Sequence, residues 1–164
     1  MPEALLPIGF LISLSIIARF RKELLFALSA RIAMALMLVV AGVAHFTFTP
    51  GMEMMFPDFV PYKRLIVYLT GVLEVLAAVG LLIPKYQRTT GWFIVFFFIA
   101  IIPANIYASM HHVDIEHANY QGKGLEYLWY RIPLQFFFIA WVYCSAIKKW
   151  RNTKEIKASR LSHL

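Results

Sequence analysis

Long apolar runs separated by short polar breaks make up most of this chain. Residues 30–48, 65–83, 90–107 and 128–147 are each near the ~20 apolar residues that a helix needs to cross a hydrocarbon core. Residues 5–18 form a shorter fifth run that carries Pro7 and Gly9. A run of that length suits a thin span, a tilted helix or an interfacial one. Its basic cluster (Arg19, Arg21, Lys22) follows the apolar stretch, and no small-x-small cleavage site comes directly after it. It therefore reads as an uncleaved span and not as a signal peptide. The pattern predicts an all-α membrane protein with five spans. Residues 1–29 supply an N-terminal membrane helix and a basic connector, 30–147 a four-helix transmembrane bundle, and 148–164 a basic tail.

Composition strengthens this reading. The 164 residues are 60% hydrophobic with a mean hydropathy of +0.66, whereas soluble domains are nearer half apolar. The chain is too short for two membrane domains. Trp92, Trp129 and Trp141 lie at or inside apolar runs, as interfacial aromatic belts do. A single cysteine, Cys144, excludes an intrachain disulfide or a Cys-x-x-Cys centre, and it reads as a small packing residue.

The net charge of +7 is read as topology and not as a nucleic-acid signal. With the N-terminus outside, the inner side holds Arg19, Arg21, Lys22, Arg31, Lys85, Arg88 and the six basic residues of the tail. The outer side holds Lys63, Arg64 and Lys123. That asymmetry follows the positive-inside rule and places the C-terminus in the cytoplasm. The tail reads as a solvated stop-transfer segment that also contacts anionic lipid headgroups. The two longer connections, 49–64 and 109–127, then lie outside, and elaborated loops are where function concentrates.

Five polar residues sit in apolar context: His45, Glu74, Asn105, Arg131 and Gln135. A carboxyl as deep as Glu74 is costly unless paired or neutralised, and Arg131 is the partner the sequence offers. The alternative is a buried ion pair that only fixes helix register. From a rise of about 1.5 Å per residue, His45, Asn105 and Arg131 lie about 5 Å from the outer edge, Gln135 about 10 Å and Glu74 about 14 Å. The His45–Glu74 offset of about 9 Å is too large for comfortable direct contact. Arg131 and Gln135, spaced i,i+4, share one helix face.

Pro103 and Pro133 free the carbonyls of Ile99 and Trp129, which need other partners in lipid. Together with the polar residues they predict a cavity opening outward. The structural alternative is that Asn105 and Gln135 simply bridge helices and satisfy those carbonyls. Gly42 and Gly71 each precede an ionisable group by three residues and would let their helices approach closely. Phe96–Phe98 and Phe136–Phe138 read as lipid-facing or packing aromatics.

Residues 111–117 read His-His-Val-Asp-Ile-Glu-His. If the fourth helix continued here, His112 and Glu116 would be spaced i,i+4, and His111, Asp114 and His117 i,i+3. Such spacing can place two metal ligands on one face. His111, His112, Glu116 and His117 are therefore weak metal candidates, and a polar, pH-sensitive helix end outweighs them.

Several pieces, in order, carry a family resemblance: Arg31-Ile32-Ala33-Met34, Ala41-Gly42-Val43-Ala44-His45-Phe46, Met55-Phe56-Pro57-Asp58, Thr70-Gly71-Val72-Leu73-Glu74, Gly80-Leu81-Leu82-Ile83-Pro84, Pro103-Ala104-Asn105-Ile106-Tyr107 and Arg131-Ile132-Pro133-Leu134-Gln135. Over residues 30–147 the chain resembles the DoxX-like membrane proteins. The resemblance implies a four-helix core in a bacterial cytoplasmic membrane. It also implies a ligand site at His45, Glu74, Asn105, Tyr107, Arg131 and Gln135. The family name comes from a subunit of a thiosulfate:quinone oxidoreductase, so quinone is the cofactor class implied.

Three readings follow. The first is a quinone- or lipid-linked subunit of a membrane oxidoreductase system, in which Arg131 and Gln135 hold a carbonyl or anionic group of a small hydrophobic ligand. The second is a non-enzymatic assembly, chaperone or lipid-binding module with a partner protein or a second copy of itself. The third is a small-solute transporter, disfavoured by few spans and little polarity in the inner half. Membrane lipids are partners in all three, and nucleic acid in none.

Overall fold

A computed structural model describes residues 25–148. The predicted N-terminal span at 5–18 and most of the basic tail lie outside the described residues. The helices are α1 (Leu25–Thr47), α2 (Thr49–Glu53), α3 (Lys63–Leu82), α4 (Gln87–Ala100), α5 (Ile102–Met110) and α6 (Leu125–Val142). A π-helical turn, Tyr143–Ile147, continues α6 and is closed by Lys148 N–H donating to Tyr143 O at 2.9 Å. Among the described residues there is no strand, only an isolated bridge between Asp114 and Asn119. Among the described residues four stretches are long and apolar enough to cross a membrane: Ala27–Thr47, Lys63–Leu82, Gln87–Met110 and Leu125–Ile147.

The four long helices form an antiparallel ring. α1 neighbours α3 and the π turn, α3 neighbours α4, and α4 neighbours α6 and the π turn. α3 and α6 therefore sit on opposite sides of the ring. The outward faces are apolar, with Leu36, Val43, Leu69, Leu76, Val79, Phe96 and Phe136 all exposed. So large an exposed apolar surface belongs against lipid and not water.

One end of the bundle has a short turn between α3 and α4, and the other carries the two long connections. The apolar core fills the short-turn half, with Met34, Leu38, Leu81, Ile94 and Val142 almost fully buried. Two polar clasps tie the helices there. Trp141 Nε1–H donates to Ala30 O at 2.9 Å, and the Arg31 guanidinium donates to Gln87. Trp141 is thus held by a backbone bond inside the protein and is more than an interfacial anchor. α1 includes Leu25–Ser29, inside the stretch expected to be a connector. Arg31 belongs to the helix because its charge is met locally, by Gln87 and by the carbonyl of Ala27.

At the loop end, Pro50 lacks an N–H for the carbonyl of Phe46. The chain breaks at Phe48 and restarts as α2, and the Thr49 hydroxyl donates to His45 O at 2.6 Å and Phe46 O at 3.2 Å. Pro103 likewise ends α4 at Ala100 and opens α5. Pro133 leaves α6 continuous. The second connection lies on the first: a Cβ on Gly51 would sit 2.0 Å from Ile115 O.

Cys144 is exposed, which corrects the expectation of a packed residue. The wider π turn presents Ser145, Ala146 and Ile147 to the core and leaves Cys144 outside.

α1 and α3 meet at two glycines. A Cβ on Gly42 would come within 2.8 Å of Gly71 O and Val75 Cγ2, and one on Gly71 within 2.8 Å of His45 Cβ. Backbone cannot yield as a side-chain tip can. Gly42→Ala and Gly71→Ala should each lower unfolding stability by about 1–3 kcal/mol, the usual cost of overpacking. Gly80→Ala should cost less, since its closest neighbour is the rotatable Thr90 hydroxyl. Denaturant unfolding of the purified protein measures this order, and equal losses at all three sites would contradict it.

Candidate functional site

α1, α3, α4 and α6 enclose a cavity of about 70 Å³ beyond the end of the apolar core. Its polar wall is Glu74 from α3 with Arg131 and Gln135 from α6, on the opposite side of the ring. Met37, Leu38, Phe98 and Phe138 give it an apolar floor that merges with the core. The i,i+4 spacing of Arg131 and Gln135 puts both on the face toward the cavity. Glu74 faces inward because it follows buried Gly71 by three residues, on the side that α3 turns to the bundle.

His45 reaches this carboxyl directly, with Nδ1 3.3 Å from Glu74 Oε2. This corrects the expectation that the two lie too far apart in depth. The offset of about 9 Å along the axis is real, because each residue lies three positions from the glycine crossing in opposite senses. Helical side chains, however, lean toward their own N-terminus. In an antiparallel pair the two leans converge, and the rings and stems span the gap. Arg131, expected to be the direct partner of Glu74, lines the cavity with it and acts on it through charge. The Arg131 guanidinium also lies over the Tyr127 ring, 5.6 Å from its centre.

His45 Nδ1 is also 2.8 Å from Ala41 O. A ring nitrogen that close to a carbonyl oxygen must carry the proton, because two lone pairs would repel. That proton serves Ala41, so Glu74 Oε2, 3.3 Å away, is a close neighbour of the ring and not its hydrogen-bond acceptor. Glu74 Oε2 is left buried with no hydrogen-bond partner, although the residue is only 6% exposed. Gln135 shows the same pattern. Its Nε2 donates to Phe98 O at 3.2 Å, while Oε1 is buried and unpartnered. Bridging between helices thus accounts for one end of the Gln135 amide and leaves the other facing unsatisfied space.

The remaining sequence candidates fall elsewhere. Asn105 is 2% exposed on α5, with Nδ2 unpartnered, and is not among the residues of the cavity wall. Tyr107 is half-buried and stacks on His111, ring centres 4.0 Å apart. Sequence reasoning missed Met37, Leu38 and Ala41, which carry no polar signal. It read Phe98 and Phe138 only as members of aromatic runs. In both runs the neighbours Phe96, Phe136 and Phe137 are exposed while Phe98 and Phe138 turn inward.

The histidine-acid segment is not helical. α5 ends at Met110, and His112 and Ala118 take positive φ angles of 53° and 49°. The i,i+3 and i,i+4 spacings therefore do not gather ligands. Among the described residues no group of three or more His, Cys, Asp or Glu side chains is placed to hold a metal, and His111, His112, Glu116 and His117 do not form a centre. Asp114 organises the loop instead. Its Oδ1 accepts from the backbone N–H groups of Glu116 and His117, and its Oδ2 lies 2.9 Å from His117 Nδ1.

The side-chain bond to His117, followed by the backbone bond from the same residue, holds the Asp114 carboxyl below its ordinary range. A depressed carboxyl contributes order above its unfolded value and loses it as pH falls through the folded value. Carboxyl-carbon NMR should give Asp114 a midpoint below the usual ~3.9, rising in His117→Ala. A midpoint at or above ~3.9 in the wild type would contradict this account of the loop.

Residues 34–146 match the family model described as Domain of unknown function (DUF8561), and that interval contains every residue of the cavity wall. No curated protein and no solved structure matches the chain. With well over half of its length covered, the chain belongs to the Domain of unknown function (DUF8561) family.

Proposed function

We propose that this is an integral membrane protein that binds the small polar head of an apolar-tailed molecule, a lipid or a quinone, between its helices. One observation carries the reading: a cavity lined by Glu74 from one side of the ring and by Arg131 and Gln135 from the other, with Met37, Leu38, Phe98 and Phe138 beneath, in a bundle whose outside is apolar. Glu74 Oε2 and Gln135 Oε1 are buried there without a hydrogen-bond partner. An acidic, a basic and an amide group together recognise a head with both donor and acceptor character. The surrounding apolar surface suits a tail that stays in lipid.

The DoxX-like resemblance lends support, since its site set of His45, Glu74, Asn105, Tyr107, Arg131 and Gln135 includes the three cavity residues Glu74, Arg131 and Gln135. In this reading the loop end faces the outer side of a bacterial cytoplasmic membrane, as the distribution of Lys and Arg favours. A role in redox chemistry would draw its electrons from a partner, because one cysteine gives no dithiol centre.

Native mass spectrometry with lipid extraction on wild type and Arg131→Ala tests the reading. Wild type should retain a defined small amphiphile, and a still-folded Arg131→Ala should lose it. Only bulk lipid on both proteins would overturn the proposal. An Arg131→Ala variant that loses a partner protein would favour the assembly reading instead.

A further inference from the structure

The hydrogen-bond inventory of the cavity narrows its occupant, on the reading that the cavity is an amphiphile site. Its two buried side-chain atoms without a partner are Glu74 Oε2 and Gln135 Oε1; the amide oxygen can only accept, whereas the carboxyl accepts when ionised and donates when it carries its proton. The alternative assignments are closed off locally. Rotating the Gln135 amide would set its oxygen against Phe98 O and remove the 3.2 Å bond. The Nδ1 proton of His45 is committed to Ala41 O at 2.8 Å. Both residues are more than nine-tenths buried, so neither atom can turn to bulk water, and a buried unpaired polar atom is costly.

We infer that the cavity takes a neutral hydrogen-bond donor, an aliphatic hydroxyl on an apolar tail, whose single O–H donates to Gln135 Oε1 beside Glu74 Oε2. A ketone, ester or quinone carbonyl would set another acceptor against Gln135 Oε1, which already lacks a donor. An ammonium head supplies donors but brings a second cation into a cavity that Arg131 already lines. A hydroxyl both donates and accepts, and its oxygen suits a wall that includes a guanidinium. This reverses the polarity expected from sequence, in which Arg131 and Gln135 hold a carbonyl or an anion. The Gln135 donor is already spent on Phe98 O.

Size separates an aliphatic head from an aromatic one. A cavity of about 70 Å³ holds a few waters or a hydroxyl-bearing carbon or two. It is about half the ~150 Å³ of an engineered cavity that takes benzene. A hydroquinone has the right donors and too large a ring.

The test uses matched amphiphiles on the full-length protein in detergent, read by native mass spectrometry. The probes are dodecanol, its methyl ether and dodecylhydroquinone, each in equal excess. Dodecanol should be retained about tenfold or more over its ether, the discrimination expected when a buried acceptor loses its donor. Gln135→Leu should reduce that preference toward unity. The wild-type comparison of alcohol with ether decides the matter even if this variant fails to fold. Equal retention of alcohol and ether would overturn the donor inference and leave the amphiphile site standing. Retention of the hydroquinone alone would overturn the aliphatic assignment. Retention of none of the three by folded protein would leave both atoms to water and overturn the site itself.

Discussion

The contact between Gly42 and Gly71 sets the spacing of α1 and α3, and the polar interior depends on that spacing. A side chain at either glycine would meet backbone or the stem of His45 before the helices reached their present separation. Only at this distance does His45, leaning one way, come within 3.3 Å of Glu74, leaning the other. A carboxyl at the centre of a span costs ~2.5–3.5 kcal/mol on insertion scales. His45 lies beside the carboxyl and Arg131 lines the same cavity, and the Arg131 charge offsets part of that cost. Neither contact satisfies both carboxyl oxygens, so the site is stable enough to be kept and still lacks a donor.

The bundle divides its work along its length. The short-turn half is packed with apolar side chains and clasped by Trp141 on Ala30 and by Arg31 on Gln87. The loop half holds the polar residues and both helix breaks, at Phe48 and Ile101, each caused by a proline that takes away a backbone donor. The rigid half fixes where α6 presents Arg131 and Gln135, and the looser half leaves room in front of them. At the loop end the two connections touch at Gly51 and Ile115.

The four long helices and their order were legible in the sequence, because hydropathy over ~20 residues is a strong and local signal. The polar residues were legible as well, since each is an exception within an apolar run. What failed was everything that depends on direction. His45 and Glu74 looked too far apart because residue depth along the axis ignores the lean of side chains. Cys144 looked packed because a π turn, which rotates the following residues, leaves no mark in hydropathy. The His-rich segment looked like a polar helix end with weak metal candidates because the left-handed backbone at His112 and Ala118 is not a composition signal. Phe98 and Phe138 could not be separated from their neighbours without knowing which way each run faces.

Distance between His45 and Glu74 in a bilayer tests the account most directly. Solid-state NMR on the protein in lipid, with ¹⁵N in His45 and ¹³C in the Glu74 carboxyl, measures it without detergent. The account predicts a close Nδ1–carboxyl contact, matching the 3.3 Å separation from Oε2, and its loss when Gly71 is replaced by a bulkier residue. A separation more than about one helical turn (~5.4 Å) greater in the wild type would contradict it. The glycine crossing would then not be what holds an acid inside this membrane bundle.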